Sequence, residues 1–515
     1  MKMKKTYGYA KLEEIIEPSS DRVAAPCPVA RQCGGCTLQE MSYPAQLRFK
    51  ENIVRNDLRR IGGFKEELLR EVLEPIVGMD EPFRYRNKMQ FPVGYVKAQN
   101  GGEYLAAGFY AARTHSLIPI TDCLLGAEEN REIISRLLVW MEQEENRPYD
   151  EESGLGCIRH ILIRKGFHTG EILVCLVVSE PIHGGEALRD ALFDIPGMTS
   201  VSLNFNSERT NVILGEKTVT LWGKPTITDS IGDVRFEISP QSFFQVNPVQ
   251  TEKLYGKALA FAALTGKETV WDLYCGIGTI SLFLARRSAK VYGVEVVPQA
   301  IRDAKRNAAV NGIENAEFFV GKAEEKFLPG EPDVVVLDPP RKGCDAKLLR
   351  RILETQPDRI VDVSCDPATL SRDLKLLCEE HYALRRAVPV DMFPETRHVE
   401  TVVCLSKGDV KSKKIRVEFS LEDMDTDGFK KGATYNAIRD WIKEKYGYRV
   451  TNLNIAQVKQ KHGIIERENY NKPKSPESKQ SGCTSESPIS EADLNATNDM
   501  PPTKGRGRYI CEEKI

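Results

Sequence analysis

The feature that most constrains the fold is a change of rhythm near residue 241. Beyond it, uninterrupted apolar runs at Val270–Leu273, Val291–Val294, Val334–Leu337 and Ile360–Val363 alternate with helical stretches. A strand that is apolar on both faces must be covered on both, which is the condition of a parallel sheet with crossover helices. Residues 241–408 are therefore expected to form a doubly wound, Rossmann-like α/β domain. Upstream, from about 73 to 240, shorter runs at Met89–Val93, His160–Arg164, Ile172–Val178 and Ser200–Asn206 are separated by Gly, Pro, Asn and Asp. That pattern predicts a mixed, largely antiparallel α+β domain.

The remaining segments are read more coarsely. Residues 1–22 suggest one or two short strands, and 23–40 a cysteine-bearing loop. Residues 41–62 show an amphipathic helical pattern stopped by Gly62 and Gly63. Residues 23–240 are taken as a central domain, 409–467 as a small helical extension, and 468–515 as a disordered tail rich in Ser, Pro, Lys, Glu and Asn.

With 41% hydrophobic and 28% charged residues the chain can bury a core and stay in solution. It has no run of about 18 apolar residues, so no membrane span is expected. The basic start, Met1–Lys5, leads into a mixed, charged stretch and not into a secretory apolar core. A cytoplasmic monomer is expected. The net charge of −2 gives no global attraction to a polyanion. Any nucleic-acid surface must be local, and Arg84–Lys88, where cations alternate with an aromatic, is one candidate; a solvated strand edge is the plainer reading. Thirteen cysteines in such a chain argue for metal, cluster or catalytic use of some of them.

Two glycines, Gly276 and Gly278, follow Asp272 between an expected strand and an expected helix starting at Thr279. They let the backbone turn sharply and approach a ligand. Nineteen residues after Gly276, Glu295 ends the next expected strand, where an acid accepts hydrogen bonds from a ribose diol. This arrangement suits either a nicotinamide dinucleotide or S-adenosylmethionine. Ser281 stands where the dinucleotide fingerprint requires its third glycine, and the next buried strand ends in Asp338-Pro339-Pro340-Arg341. Adjacent prolines stiffen a loop at the carboxyl edge of the sheet, where ligands of open α/β sheets bind. Such a loop resembles the nucleobase-facing loop of base-modifying methyltransferases, which favours the methyl donor.

Carbon 5 of uracil is a weak nucleophile. A thiolate that adds to carbon 6 converts the ring to an enolate, and a base must later remove the carbon 5 proton. Cys365, just past a buried strand and before a helix, is the candidate nucleophile, and the helix N-terminus is expected to lower its pKa. Glu400, at the start of the last apolar run, is the candidate base. Cys275, within the glycine loop, competes as nucleophile but suits packing better. Cys27, Cys33 and Cys36 give a C-x5-C-x2-C cluster, whose spacing serves zinc or an iron–sulfur core alike.

Taken together, Cys27–Cys36, Phe83–Lys88, Ser239–Asn247, Asp272–Gly276, Asp338–Arg341, Ser364–Thr369 and His398–Thr401 make residues 23–406 resemble the RNA uracil-5-methyltransferases. The likeness is to their iron–sulfur branch, the 23S ribosomal RNA (uracil-5-)-methyltransferase type. The resemblance implies that Gln245, Tyr274, Glu295 and Asp338 bind S-adenosylmethionine, with Asp338 also touching the base. It implies that Phe243 lies near the target uracil, that Cys365 is the nucleophile and that Glu400 is the proton acceptor. Cys123 becomes the fourth ligand of a [4Fe–4S] cluster, with zinc as the alternative; Cys157 and Cys175 are weaker choices. Phe243 and Phe244 can stack on a splayed base or simply fill a core. The branch usually begins with a small RNA-binding β-barrel, of which residues 1–22 have room only for a remnant. The cluster points to ribosomal RNA as partner, with the same chemistry on transfer RNA as the nearest rival. An iron–sulfur, nicotinamide-dependent oxidoreductase and an RNA-binding protein with a dead site are the rivals from other classes.

Overall fold

In a computed structural model of the chain, the apolar runs after residue 269 assemble into one mixed sheet. The structure describes residues 14–408 except 99, 112–113, 210–211 and 327, together with 2–3, 8–9, 417–420, 440, 443–444 and 508–511. The chain divides into two compact units, Met1–Val410 and Lys411–Ile515.

The first unit opens with the cysteine loop and two helices, α1 (Tyr43–Arg60) and α2 (Glu66–Val72). There follow β1 (Lys88–Lys97), β2 (Glu103–Tyr110), β3 (Leu117–Pro119), α3 (Glu129–Gln143), β4 (Ile158–Lys165) and β5 (Ile172–Val178). Next come α4 (Gly185–Leu192), β6 (Met198–Phe205) and β7 (Lys217–Gly223). These strands make a seven-stranded sheet ordered β3-β2-β1-β4-β5-β6-β7, antiparallel except for the pair β5·β6. Its apolar face packs on α3 and α4 through Ile133, Leu137, Trp140, Leu188 and Leu192.

A hairpin, β8 (Ile227–Ile231) with β9 (Val234–Ile238), leads to α5 (Pro248–Ala262). The second sheet contains β10 (Thr269–Leu273), β11 (Lys290–Glu295), β12 (Ala316–Val320), β13 (Val334–Leu337) and β14 (Arg359–Ser364). It is completed by β15 (Tyr382–Val390) and β16 (Glu400–Lys407). Between these strands run α6 (Thr279–Ala285), α7 (Pro298–Val310), α8 (Ala346–Thr355) and α9 (Pro367–Glu380).

The order of the second sheet is β12-β11-β10-β13-β14-β16-β15. The first five strands are parallel, and β16 runs antiparallel to both β14 and β15. This is the Rossmann-like architecture expected of residues 241–408. One face is covered by α5, α6, α7 and the β8·β9 hairpin. The other is covered by α8, α9 and the far-upstream α1 and α2, through Val54, Leu58, Leu69 and Val72. Isolated bridges from Leu73 to Ala387 and from Val77 to Val390 fasten that upstream chain along β15.

Strand order reverses between β10 and β13, which opens a crevice at their carboxyl ends. Ligands of such sheets bind there. Among the described residues no helix is long and apolar enough to cross a membrane.

Lys2–Met3 pairs with Gly8–Tyr9, and Val417–Ser420 with Arg508–Cys511. Residues 1, 4–7 and 10–13 of the expected N-terminal remnant lie outside the described residues, as does the expected helical extension 409–467 apart from 417–420, 440, 443 and 444, and the expected disordered tail 468–515 apart from 508–511.

Candidate active site and cysteine cluster

Strand register brings the expected site residues to one edge. Leu273 lies level with Val294 on one side and Leu337 on the other. The next residues along, Tyr274, Glu295 and Asp338, therefore stand side by side at the mouth of the crevice. On the next strand over, Ser364 pairs with Thr401 in an antiparallel ladder. Cys365 follows Ser364 and Glu400 precedes Thr401, so the end of the ladder brings the thiol and the carboxylate together. Cys365 and Glu400 each lie within electrostatic reach of Asp338 and Arg341, and Cys365 within reach of Glu400.

The donor side of the crevice has the features a nucleoside ligand needs. Gly276, at φ 55°, faces open space, so a ligand can approach its backbone. Gly278 is packed so closely against Phe318 and Ala304 that a Cβ there would crowd both. Asp272 is fully buried; the Ser281 hydroxyl donates to its Oδ2, while Oδ1 has no partner. Tyr274 holds a left-handed backbone (φ 74°), its N–H and that of Cys275 both donating to the Val294 carbonyl. The Glu295 carboxylate accepts from the Val297 N–H at 2.9 Å, which orients it at the strand end. Gln245 sits on the loop before α5, beside the buried Tyr255, whose hydroxyl donates to Thr279 Oγ1. These residues fit the adenosyl donor.

Burial disfavours the charged forms. Desolvation pushes the Asp272 carboxyl up to about 6, Asp338 to about 7 and Glu400 to about 8. For Asp338 the Asp272 charge adds to burial; for Glu400 the Asp338 charge adds and Arg341 opposes.

The expectation of a helix-lowered thiol at Cys365 is not met. Burial, then the Glu400 and Asp338 charges, push it up to about 11, with Arg341 only partly opposing. The physical reason is that burial and two neighbouring carboxylates outweigh the helix start. The Ala368 and Thr369 N–H groups there are in addition already taken by Asp366. Cys365 nevertheless keeps some exposure, whereas Cys275 is buried and raised further by Asp272 and Glu295. Packing is thus the place of Cys275.

The two phenylalanines of the loop before α5 part company. Phe244 is buried against Phe236, while Phe243 is 67% exposed. The loop is held from behind: Arg164 donates to the Pro240 and Ser242 carbonyls, and the Ser242 hydroxyl donates to the buried Asp303.

Arg84–Lys88 is not a solvated edge. Tyr85 and Asn87 are buried, and the Arg84 guanidinium pairs with Asp122 and donates to the Cys123 and Gly126 carbonyls. Three residues missed in the sequence enter the site through chain folding: Tyr255, Thr279 and Arg341. Only Arg341 had a local signal, its place in the Asp-Pro-Pro-Arg run.

Cys27, Cys33, Cys36 and Cys123 come into one neighbourhood, each within electrostatic reach of at least one other, although Cys123 lies far away in sequence. Gly35 has no side chain beside the Cys33 sulfur. Among the described residues, no group of three or more His, Cys, Asp or Glu is arranged to hold a metal ion. Cys157 and Cys175 are buried elsewhere, in the core of the first sheet region.

Together, the fold and this crevice define a Rossmann-like methyltransferase. Comparisons with known proteins narrow the class. The tRNA (Uracil-5-)-methyltransferase family matches residues 331–408, and the Methyltransferase small domain matches 255–368. An "uncharacterized RNA methyltransferase" of Halalkalibacterium halodurans is 50% identical over 413 residues, covering 79% of this chain and 88% of the relative. One of Clostridium acetobutylicum is 48% identical over 417 residues, covering 79% and 89%. Among solved structures, the Pyrococcus abyssi tRNA (uracil-54, C5)-methyltransferase in complex with S-adenosyl-L-homocysteine is 30% identical. It covers 78% of this chain and 91% of its own, with a TM-score of 0.64. The chain belongs to the RNA uracil-5-methyltransferase family.

Proposed function

We propose that this enzyme methylates carbon 5 of a uridine in 23S ribosomal RNA through a covalent bond to Cys365. The observation that carries the mechanism is the closeness of Cys365 to Glu400 and Asp338 at the end of the β14·β16 ladder. S-adenosylmethionine, held by Gln245, Tyr274, Glu295 and Asp338, supplies an electrophilic methyl group when bound. The Cys365 thiolate adds to carbon 6 of the uracil, and carbon 5 attacks the methyl group. Glu400 takes the carbon 5 proton, and the thiolate leaves with the ring's double bond restored. Phe243, exposed at the crevice, offers a stacking face to a uridine swung out of its helix or loop.

The resemblance to the iron–sulfur branch is what favours a [4Fe–4S] cluster on Cys27, Cys33, Cys36 and Cys123, which share one neighbourhood, with zinc as the alternative filling. The resemblance to the iron–sulfur branch is what favours ribosomal RNA. A transfer RNA target is the second reading, favoured by the Pyrococcus abyssi enzyme that the chain resembles over 78% of its length.

Incubation with labelled donor and purified RNAs tests the target: label in 23S RNA is expected, and label in transfer RNA alone would end the ribosomal reading. On whichever RNA is modified, Cys365→Ala should abolish turnover while still binding S-adenosylhomocysteine. Glu400→Gln should stall after methyl transfer as a protein–RNA adduct stable to denaturant. For the thiol quartet, anaerobically purified protein should be brown, and Cys123→Ser should lose that colour and its iron. Colourless protein with one zinc per chain would overturn the cluster.

A further inference from the structure

The segment 391–399 joins β15 to β16 and delivers Glu400 as the first residue of the latter. Its position is set from outside the sheet. The Glu395 carbonyl accepts from both the Thr37 N–H at 2.9 Å and the Leu38 N–H at 3.0 Å, the two residues that follow Cys36. Further along, the Arg397 N–H donates to Thr37 Oγ1 at 3.1 Å. Glu395 itself is 3% exposed and holds φ 67°, a left-handed backbone that a non-glycine residue keeps only where its surroundings enforce it.

What enforces it is Gln46, a residue of α1 that is 1% exposed. Its Oε1 accepts from the Glu395 N–H at 3.1 Å, and its Nε2 donates to Glu395 Oε2 at 3.1 Å. The same Nε2 also faces the Leu38 carbonyl at 3.2 Å and the Met41 carbonyl at 2.9 Å. One buried amide therefore holds the cysteine loop with one set of contacts and the base-bearing segment with the other. Cys36 lies close enough to Glu395 to feel its charge.

We infer that Gln46 is a positioning residue for proton removal: its amide clasps the cysteine loop to the segment that carries Glu400, so the order of that loop fixes where the base stands. The inference rests on the covalent mechanism proposed above. In that mechanism addition and methyl transfer precede the base's step, so a misplaced Glu400 leaves those steps running and stalls the last one. Loss of the clasp thus has its own signature, accumulation of methylated protein–RNA adduct. A general loss of fold would lower turnover with no adduct.

The experiment uses the full chain with the RNA it methylates, labelled donor, and denaturing gels to read adduct, with S-adenosylhomocysteine binding as a check of the donor site. Gln46→Ala and Glu395→Ala should bind S-adenosylhomocysteine as the parent does. Their adduct should exceed the parent's by roughly tenfold, since an ångström of misplacement costs up to about a hundredfold in rate. Glu395→Gln, whose amide oxygen still accepts from Gln46, should turn over like the parent without extra adduct. Parent-like turnover in Gln46→Ala, or lost turnover with no adduct while S-adenosylhomocysteine still binds, overturns the inference. If Gln46→Ala does not fold, the contrast between Glu395→Ala and Glu395→Gln decides by the same readout. Glu400→Gln separates the two levels. Adduct there but not in the clasp variants sinks this inference alone, whereas no adduct in Glu400→Gln sinks the mechanism beneath it.

Discussion

Glu400 illustrates how a single side chain sets both chemistry and stability. Its carboxyl is pushed from 4.5 up to about 8, first by burial and then by Asp338. As a base it works only when ionised, so resolution of the adduct should quicken as pH rises towards about 8. The same shift has the opposite sign for stability. A carboxyl whose folded pKa exceeds its unfolded value binds its proton more tightly when folded, so its contribution is complete below about 4.5 and is lost as pH rises through about 8. Glu400→Gln, which cannot ionise, should match the parent in stability near pH 4.5. It should exceed the parent by on the order of 5 kcal/mol at pH 9, the site having traded stability for function. Urea unfolding of both proteins across that range measures it. A stability difference independent of pH would show that Glu400 is not held in a desolvated site.

At the scale of elements, the start of α9 shows where local reading succeeds and where it fails. Asp366 caps the helix by accepting from the Ala368 and Thr369 N–H groups, each at 3.0 Å. Asp366→Ala should cost about 1 kcal/mol in urea unfolding. It should also lower the Cys365 thiol pKa, read from the pH dependence of alkylation, because the freed N–H groups would then face the thiolate. An unchanged thiol would mean that the helix end does not act on it. The strand–Cys365–helix sequence was legible because buried apolar runs and an Asp-Pro start are local signals. The raised thiol was not, because it depends on burial and on carboxylates that other strands bring alongside. The expected strands β10, β11, β13 and β14 appear where their apolar runs lie. The reversal of β16 between β14 and β15 was not legible, since a run buried on both faces carries no mark of its direction. For the same reason Phe243 and Phe244 could not be told apart until one was seen buried and the other exposed.

Across the whole molecule, what sequence patterns could not reveal is the closure of the N-terminal helices onto the methyltransferase sheet. Gln46 meets Glu395 across 349 residues, and Lys50 meets Asp391 across 341. Nothing near either position announces its partner. Lys50 and Asp391 form an ion pair with both side chains fully buried, and the Tyr43 hydroxyl donates to the second Asp391 oxygen. Burial lowers the Lys50 pKa and raises that of Asp391, in each case outweighing the attraction between them. The pair therefore adds little net stability, yet it fixes the register of α1 against the end of β15, next to the Gln46 clasp. Lys50→Met should destabilise the protein by about 3–5 kcal/mol, because it strands a buried carboxylate. The double variant Lys50→Met, Asp391→Leu removes both charges and should recover most of that loss. If register is what the pair supplies, the recovered stability should not bring back turnover, and adduct should accumulate in the double variant as in Gln46→Ala. A double variant as active as the parent would show that apolar packing alone aligns the helix with the base-bearing segment.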